Sequence, residues 1–173
     1  MKKVNLILLF MIPVLAFAQK SQLNTFFDKY SGQEGYTSVH ITKYMFQLFE
    51  KVSDEKEDKE FKDVTSKLDA IKILAIDSKA DEVSQKAFKN ELIQKLPKSI
   101  YKDLMIIKEG KKEITFMIRE EGNKISELVM FVDEPNESAL IFLEGDIDLK
   151  KISKLSKTMK IDGFEHLDKV DKK

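Results

Sequence analysis

The feature that most constrains the fold of this chain is the texture of residues 101–144, where four strand-like runs follow one another across short joints. The runs are Tyr101 to Lys108, Glu113 to Arg119, Lys124 to Val132 and Ser138 to Glu144. Glu109-Gly110-Lys111-Lys112, Glu120-Glu121-Gly122-Asn123 and Asp133-Glu134-Pro135-Asn136-Glu137 separate them. Joints of that length and turn-rich composition close antiparallel hairpins. Period two is clearest in the second run, which sets Ile114, Phe116 and Ile118 on one face and Thr115, Met117 and Arg119 on the other. A four-strand meander is the expected C-terminal sheet.

The region before it reads as helices alternating with two further strands. Leu23, Phe26, Phe27 and Tyr30 fall at helical spacing and Ser31-Gly32 supplies a stop. Thr37 to Ile41 reads as a short strand. Met45, Leu48, Phe49 and Val52 then form an i, i+3, i+4, i+7 stripe, with Thr42 as its cap. Tyr44 and Phe46 flank that stripe and, with Tyr36, are expected to form an aromatic surface for a ligand or partner. Ser53 to Lys67 is a charged connector of mixed sign, expected to be solvated, with a partly helical course left open. Leu68 to Asp77 is apolar on both faces apart from Asp69 and Lys72, the pattern of a central strand. Asp81 or Ser84 can start a helix through Phe88, Leu92, Ile93 and Leu96 that ends at Pro97. After Gly145, read as turning the chain out of its strand, Asp148 can cap a last helix with the stripe Leu149, Ile152, Leu155 and Met159. The expected fold class is α+β: a mainly antiparallel sheet ending in the four-strand meander, packed in two layers against helices on one main face.

The N-terminus reads as an address. Lys2 and Lys3 precede an apolar run from Val4 to Leu15, and Ala16-Phe17-Ala18 stands before Gln19. This is the pattern of a secretory signal peptide cleaved after Ala18, with the small residues Ala16 and Ala18 fitting the peptidase. The apolar run is shorter than the roughly 20 residues a spanning helix needs. The expected organisation is a signal peptide over 1–18, one α+β domain over 19–167 and a frayed tail over 168–173. Export to the periplasm or beyond follows. No Cys occurs anywhere, so neither disulfides nor a lipidated cysteine are expected. After removal of Lys2 and Lys3 the formal charge is about −2, which offers no general attraction to nucleic acid or anionic lipid. Arg119 is the single arginine, against dedicated phosphate recognition, and the absence of Trp weighs against a carbohydrate platform.

The stretches Phe27-Asp28-Lys29-Tyr30-Ser31-Gly32, Thr37 to Phe49, Leu68 to Asp77 and Leu140-Ile141-Phe142-Leu143-Glu144-Gly145-Asp146-Ile147-Asp148-Leu149 resemble the domain of unknown function 4252 family of exported bacterial proteins. The resemblance spans most of the chain after residue 18. It implies no activity and supplies no catalytic residues. Many members of that family look like lipoproteins, but Ala18-Gln19 stands here where the lipidated Cys would be.

Candidate chemistry is sparse. Glu144, Asp146 and Asp148 surround Gly145 and could present oxygens to a hard cation such as calcium. The competing reading makes Asp148 a helix cap and the others favourable partners of the helix dipole. His40 and His166 have no metal-ligand spacing, and Ser38 lies in no nucleophile-elbow pattern. The leading expectation is a non-enzymatic envelope domain that binds an unidentified protein or small ligand, without cofactor. The alternative is a carboxylate-dependent periplasmic hydrolase using Asp69, Asp77, Glu144 and Asp146.

Overall fold

The computed structural model describes residues 21–52, 59–77, 79–135 and 137–152. Residues 1–20, with Ala16 and Ala18 of the expected signal peptide, the charged residues 53–58, and residues 153–173, with Leu155, Met159, His166 and the expected tail, lie outside the described residues. Within them the order is α1 (Gln22–Tyr30), β1 (Tyr36–Thr42), α2 (Lys43–Val52), α3 (Lys59–Thr65), β2 (Leu68–Ile76), α4 (Glu82–Lys95), β3 (Tyr101–Glu109), β4 (Lys112–Glu121), β5 (Lys124–Glu134) and β6 (Glu137–Ile147). All neighbouring strands are antiparallel, in the order β1-β2-β6-β5-β4-β3. The fold is α+β, and the meander β3 to β6 docks on β2 through its last strand.

Local chemistry accounts for the elements. α4 starts at Asp81, whose carboxylate accepts from the Ser84 backbone N–H (2.9 Å) and its hydroxyl (2.7 Å). It then carries the chain from β2 to the far edge at β3. That is four strand spacings, about 19 Å, and its 14 residues span about 21 Å. The connector is helical in part, as α3, but it is not wholly solvated: Val64 and Thr65 are buried.

Alternation along the strands splits the core in two. Phe116, Leu128, Met130, Ile141 and Leu143 join Phe46 of α2, Val64 of α3 and Ile152 in one cluster. Met117, Val129, Phe131, Leu140 and Phe142, their sequence neighbours, join Leu23, Phe26, Phe27 and Tyr30 of α1 and Phe88, Leu92 and Leu96 of α4 in the other. Neighbouring residues of a strand point to opposite faces, so the two clusters lie on opposite faces of the sheet. Helices on one main face were expected; here buried helical side chains meet both faces.

Gly145 also departs from expectation. β6 continues through it to Ile147, opposite a bulge in β2 between Leu68 and Ala70. Its φ is +140°, and a Cβ there would stand 2.8 Å from the Leu68 Cα and closer still to the Lys67 carbonyl. Glycine is needed because β2 begins against it, not because the strand ends. Asp148 does cap the turn at 149–152: its Oδ1 accepts from the backbone N–H of Lys150 (3.1 Å) and Lys151 (3.3 Å).

Candidate functional site

A row of polar side chains crosses the sheet beneath the N-terminal half of α1. Strand register builds it: Ala70 faces Glu144, Glu144 faces Glu127, Glu127 faces Arg119 and Arg119 faces Tyr101, from β2 to β3. Lys72, two residues along β2 from Ala70, reaches the row from the same face. Its ammonium donates to Glu144 Oε2 at 3.0 Å and to Asn24 Oδ1, while Asn24 Nδ2 donates to Glu144 Oε1 at 2.6 Å. Lys72 and Asn24 are buried.

The second half of the row centres on Glu127, 5% exposed. Arg119 donates to its Oε1 at 2.9 Å and Tyr101 to its Oε2 at 2.5 Å. Ser21, the N-cap of α1, lies 3.4 Å from the Tyr101 hydroxyl. Burial, then the hydrogen bond to the Glu127 carboxylate, push the Tyr101 hydroxyl well above the usual phenol range. Every oxygen of Glu127 and Glu144 receives a donor, so the row is a neutralised internal network that ties α1 to five strands. At its Arg119 end an open cleft of about 520 Å³ is lined by Ser21, Gln22, Ile100, Lys102, Arg119 and Glu120 among others. The charges there are paired as well: Lys102 with Glu120 at 2.5 Å, Arg119 with Glu121 at 2.7 Å.

The residues singled out from sequence are dispersed. Glu144 sits in the row. Asp146 is at the surface, where Lys124 (2.9 Å) holds its carboxyl below the usual range, and Asp148 is the helix cap. Among the described residues no group of three His, Asp or Glu side chains is placed to hold a metal ion. Asp69 pairs with Lys43 of α2 at 2.8 Å, and Asp77 accepts from the Lys79 backbone N–H at the other end of β2. Eight strand residues, about 26 Å, separate those two carboxylates. His40 is exposed at the edge strand, its ring 6.0 Å from Phe27, and Ser38 meets Ser31 at 2.9 Å.

The aromatic surface also needs correction. Tyr44 is 66% exposed, but Phe46 is buried in the core, and Tyr36 is half-buried against Tyr30 (4.7 Å) and Phe88 (5.8 Å). The residues read as the buried stripe of α2 are outside instead: Met45, Leu48 and Phe49 are exposed. On a helical wheel Met45 lies about 100° and Leu48 about 160° from Phe46. α2 follows β1 without an intervening loop residue, and Lys43 is held at Asp69, so Phe46 is the side chain delivered to the sheet. Val39 and Ile41 face Ile73 and Ile71 across the β1–β2 ladder, on this same side of the sheet, and Val39 is exposed. An apolar surface therefore runs from α2 onto the edge strand.

No helix of the described residues is long and apolar enough to cross a membrane. No curated protein matches the chain, and no solved structure does. A family model described as Domain of unknown function (DUF4252) matches residues 30–155, which takes in the whole sheet, both core clusters and the α2 surface apart from most of α1. The chain belongs to the DUF4252 family.

Proposed function

We propose that this chain is an exported, non-enzymatic interaction domain of the cell envelope that meets its partner through the apolar surface of α2 and β1. The observation that carries the reading is the exposure of Tyr44, Met45, Leu48 and Phe49 on one helix. Among its described side chains the helix seats one buried aromatic, Phe46, and turns four apolar residues toward something outside the fold. Residues 1–18 supply the reason for placing it in the envelope.

A photo-reactive residue at position 44, with one at position 106 on β3 as reference, tests this in intact cells. Discrete adducts from position 44 alone are expected. No adduct, or the same pattern from both positions, rejects the surface.

One observation favours a second reading, a carboxylate-dependent hydrolase: Glu127 and Glu144 are register partners, two carboxylates side by side beneath α1. Hydrolysis of an ester, phosphate or glycoside substrate that Glu127→Gln abolishes without unfolding the protein would establish it.

A further inference from the structure

We infer that the partner on this surface is a second copy of the chain, added antiparallel along β1 about a two-fold axis at Val39. The inference rests on reading α2 and β1 as the interaction surface, and names what covers it. The sheet has two outer strands, and they are built differently. β3 carries Lys102, Asp103, Lys108 and Glu109, charges that discourage another strand from adding to it. β1, Tyr-Thr-Ser-Val-His-Ile-Thr, contains no Lys, Arg, Asp, Glu or Pro, and its β-branched residues suit a ladder.

Pairing β1 with itself about Val39 sets Thr37 opposite the partner's Ile41, Ser38 opposite the partner's His40 and Tyr36 opposite the partner's Thr42. No acidic or lysine side chains face one another in that register, and β-branched residues fill the side that carries α2. The helices fit the same axis. α2 touches β1 and β2, so in the joined sheet two such helices stand about two strand spacings apart. Across the strands that is about 10 Å, the separation at which helices pack, and along them the two helices enter the seam from opposite ends of the ladder. Their exposed arcs then cover each other. With Tyr44 66%, Phe49 48%, Met45 45%, Val39 41% and Leu48 38% exposed, the two copies together withdraw about 900 Å² of mainly apolar surface. The paired edge adds to this and brings the total to the size at which specific interfaces begin.

The absence of cysteine makes the register directly testable. Across an antiparallel ladder facing Cα atoms stand about 4.5–5.5 Å apart, within disulfide reach. Val39→Cys in the full chain should therefore yield a covalent dimer on mild oxidation, whereas Ser38→Cys, which faces His40 and not itself, should not. By sedimentation, the unmodified chain should be dimeric at about 0.1 mM. Val39→Lys should raise the dissociation constant at least about tenfold with an unchanged far-ultraviolet spectrum, and Ile106→Lys on β3 should leave it unaltered. A monomeric unmodified chain, equal cross-linking from positions 38 and 39, or dissociation by Ile106→Lys as strong as by Val39→Lys overturns the inference. Photo-adducts from position 44 separate it from the reading beneath it. Adducts of twice the chain mass support self-association. Adducts with a different protein on a monomeric chain overturn it and leave the interaction surface standing, and no adducts at all reject both.

Discussion

The two faces of the sheet bury their side chains by different means. Under α1 and α4 the contacts are directional: rings at 4.7 to 5.8 Å among Phe26, Tyr30, Tyr36 and Phe88, and the paired row from Lys72 to Tyr101. Under α2 and α3 the described contacts are almost wholly aliphatic, with Phe46 and Phe116 the buried rings. Hydrogen-bonded charges fix where α1 sits, because a displaced α1 would leave buried groups unpaired. Aliphatic contact specifies volume more than direction. That difference fits the exposed arc of α2: a helix whose described anchors are the buried Phe46 ring and the Lys43–Asp69 ion pair presents Tyr44, Met45 and Leu48 outward.

The sharpest way to break the comparison is Lys72→Met. On the α1 face it removes the cation from Glu144 and a donor from Asn24, with the Lys72 side chain 9% exposed and that of Glu144 22%. A buried ion pair that loses one partner destabilises by about 3–5 kcal/mol, and about 4 kcal/mol is expected by urea unfolding. Replacing Glu144 by Leu and Asn24 by Leu in the same chain should recover most of that loss, since apolar groups of similar volume stand in well for a buried pair. If the single variant loses less than about 1 kcal/mol, the row is wet and the two faces do not differ as described.

On the other face the matching loss is a cavity. Ile152, 2% exposed, packs in the α2-side cluster just past the Asp148 cap, and Ile152→Ala should cost about 3 kcal/mol. No second substitution nearby should rescue it except one that refills the volume. A value near zero would mean that this turn is loosely held and that the aliphatic face is not closed there.

Much of this architecture is legible in the amino-acid sequence. The strands announced themselves by alternation and by their short joints, α1 by the spacing of Leu23, Phe26, Phe27 and Tyr30, and α4 by Asp81 and Pro97. The row was not legible, because residues 24, 72, 101, 119, 127 and 144 share no sequence spacing; register alone assembles them. Its trace was present in Lys72 inside the run Leu68 to Ile76, Glu127 inside Ile125 to Val132, and Arg119 on the strand face opposite Ile114, Phe116 and Ile118. The orientation of α2 escapes the sequence for a related reason. Periodicity gives the width of an apolar arc but not which part of it meets the sheet, and the direct continuation from β1 decided for Phe46. Gly145 misled because a glycine demanded by a neighbouring backbone looks, in sequence, like one demanded by a turn.

A smaller effect sharpens the comparison through pH. Tyr101→Phe leaves Glu127 Oε2 without its donor and should cost about 1–2 kcal/mol near neutrality. The folded phenol titrates above its unfolded value of about 10, so the fold favours the protonated form. That contribution is complete below about pH 10 and is lost as pH rises beyond it. Unfolding midpoints followed from neutral to alkaline pH should fall more steeply in the unmodified protein than in the variant. Parallel curves would show that the Tyr101 hydroxyl titrates alike in the folded and unfolded chain.

The smallest expected effect carries most of the weight for the α2 face. Tyr44 projects its ring into water, so Tyr44→Ser removes little that folding buries and should change stability by less than about 0.5 kcal/mol. Met45→Gln should behave alike for the same reason. Were Met45 part of the core, as its place in the helical stripe predicts, Met45→Gln would cost about 2 kcal/mol or more through lost burial. Denaturant unfolding at low concentration, where self-association is suppressed, separates the two cases. A near-zero loss there, joined to a concentration-dependent midpoint in the unmodified chain that a chain carrying both Tyr44→Ser and Met45→Gln lacks, assigns these apolar residues of α2 to a contact between molecules rather than to the stability of one.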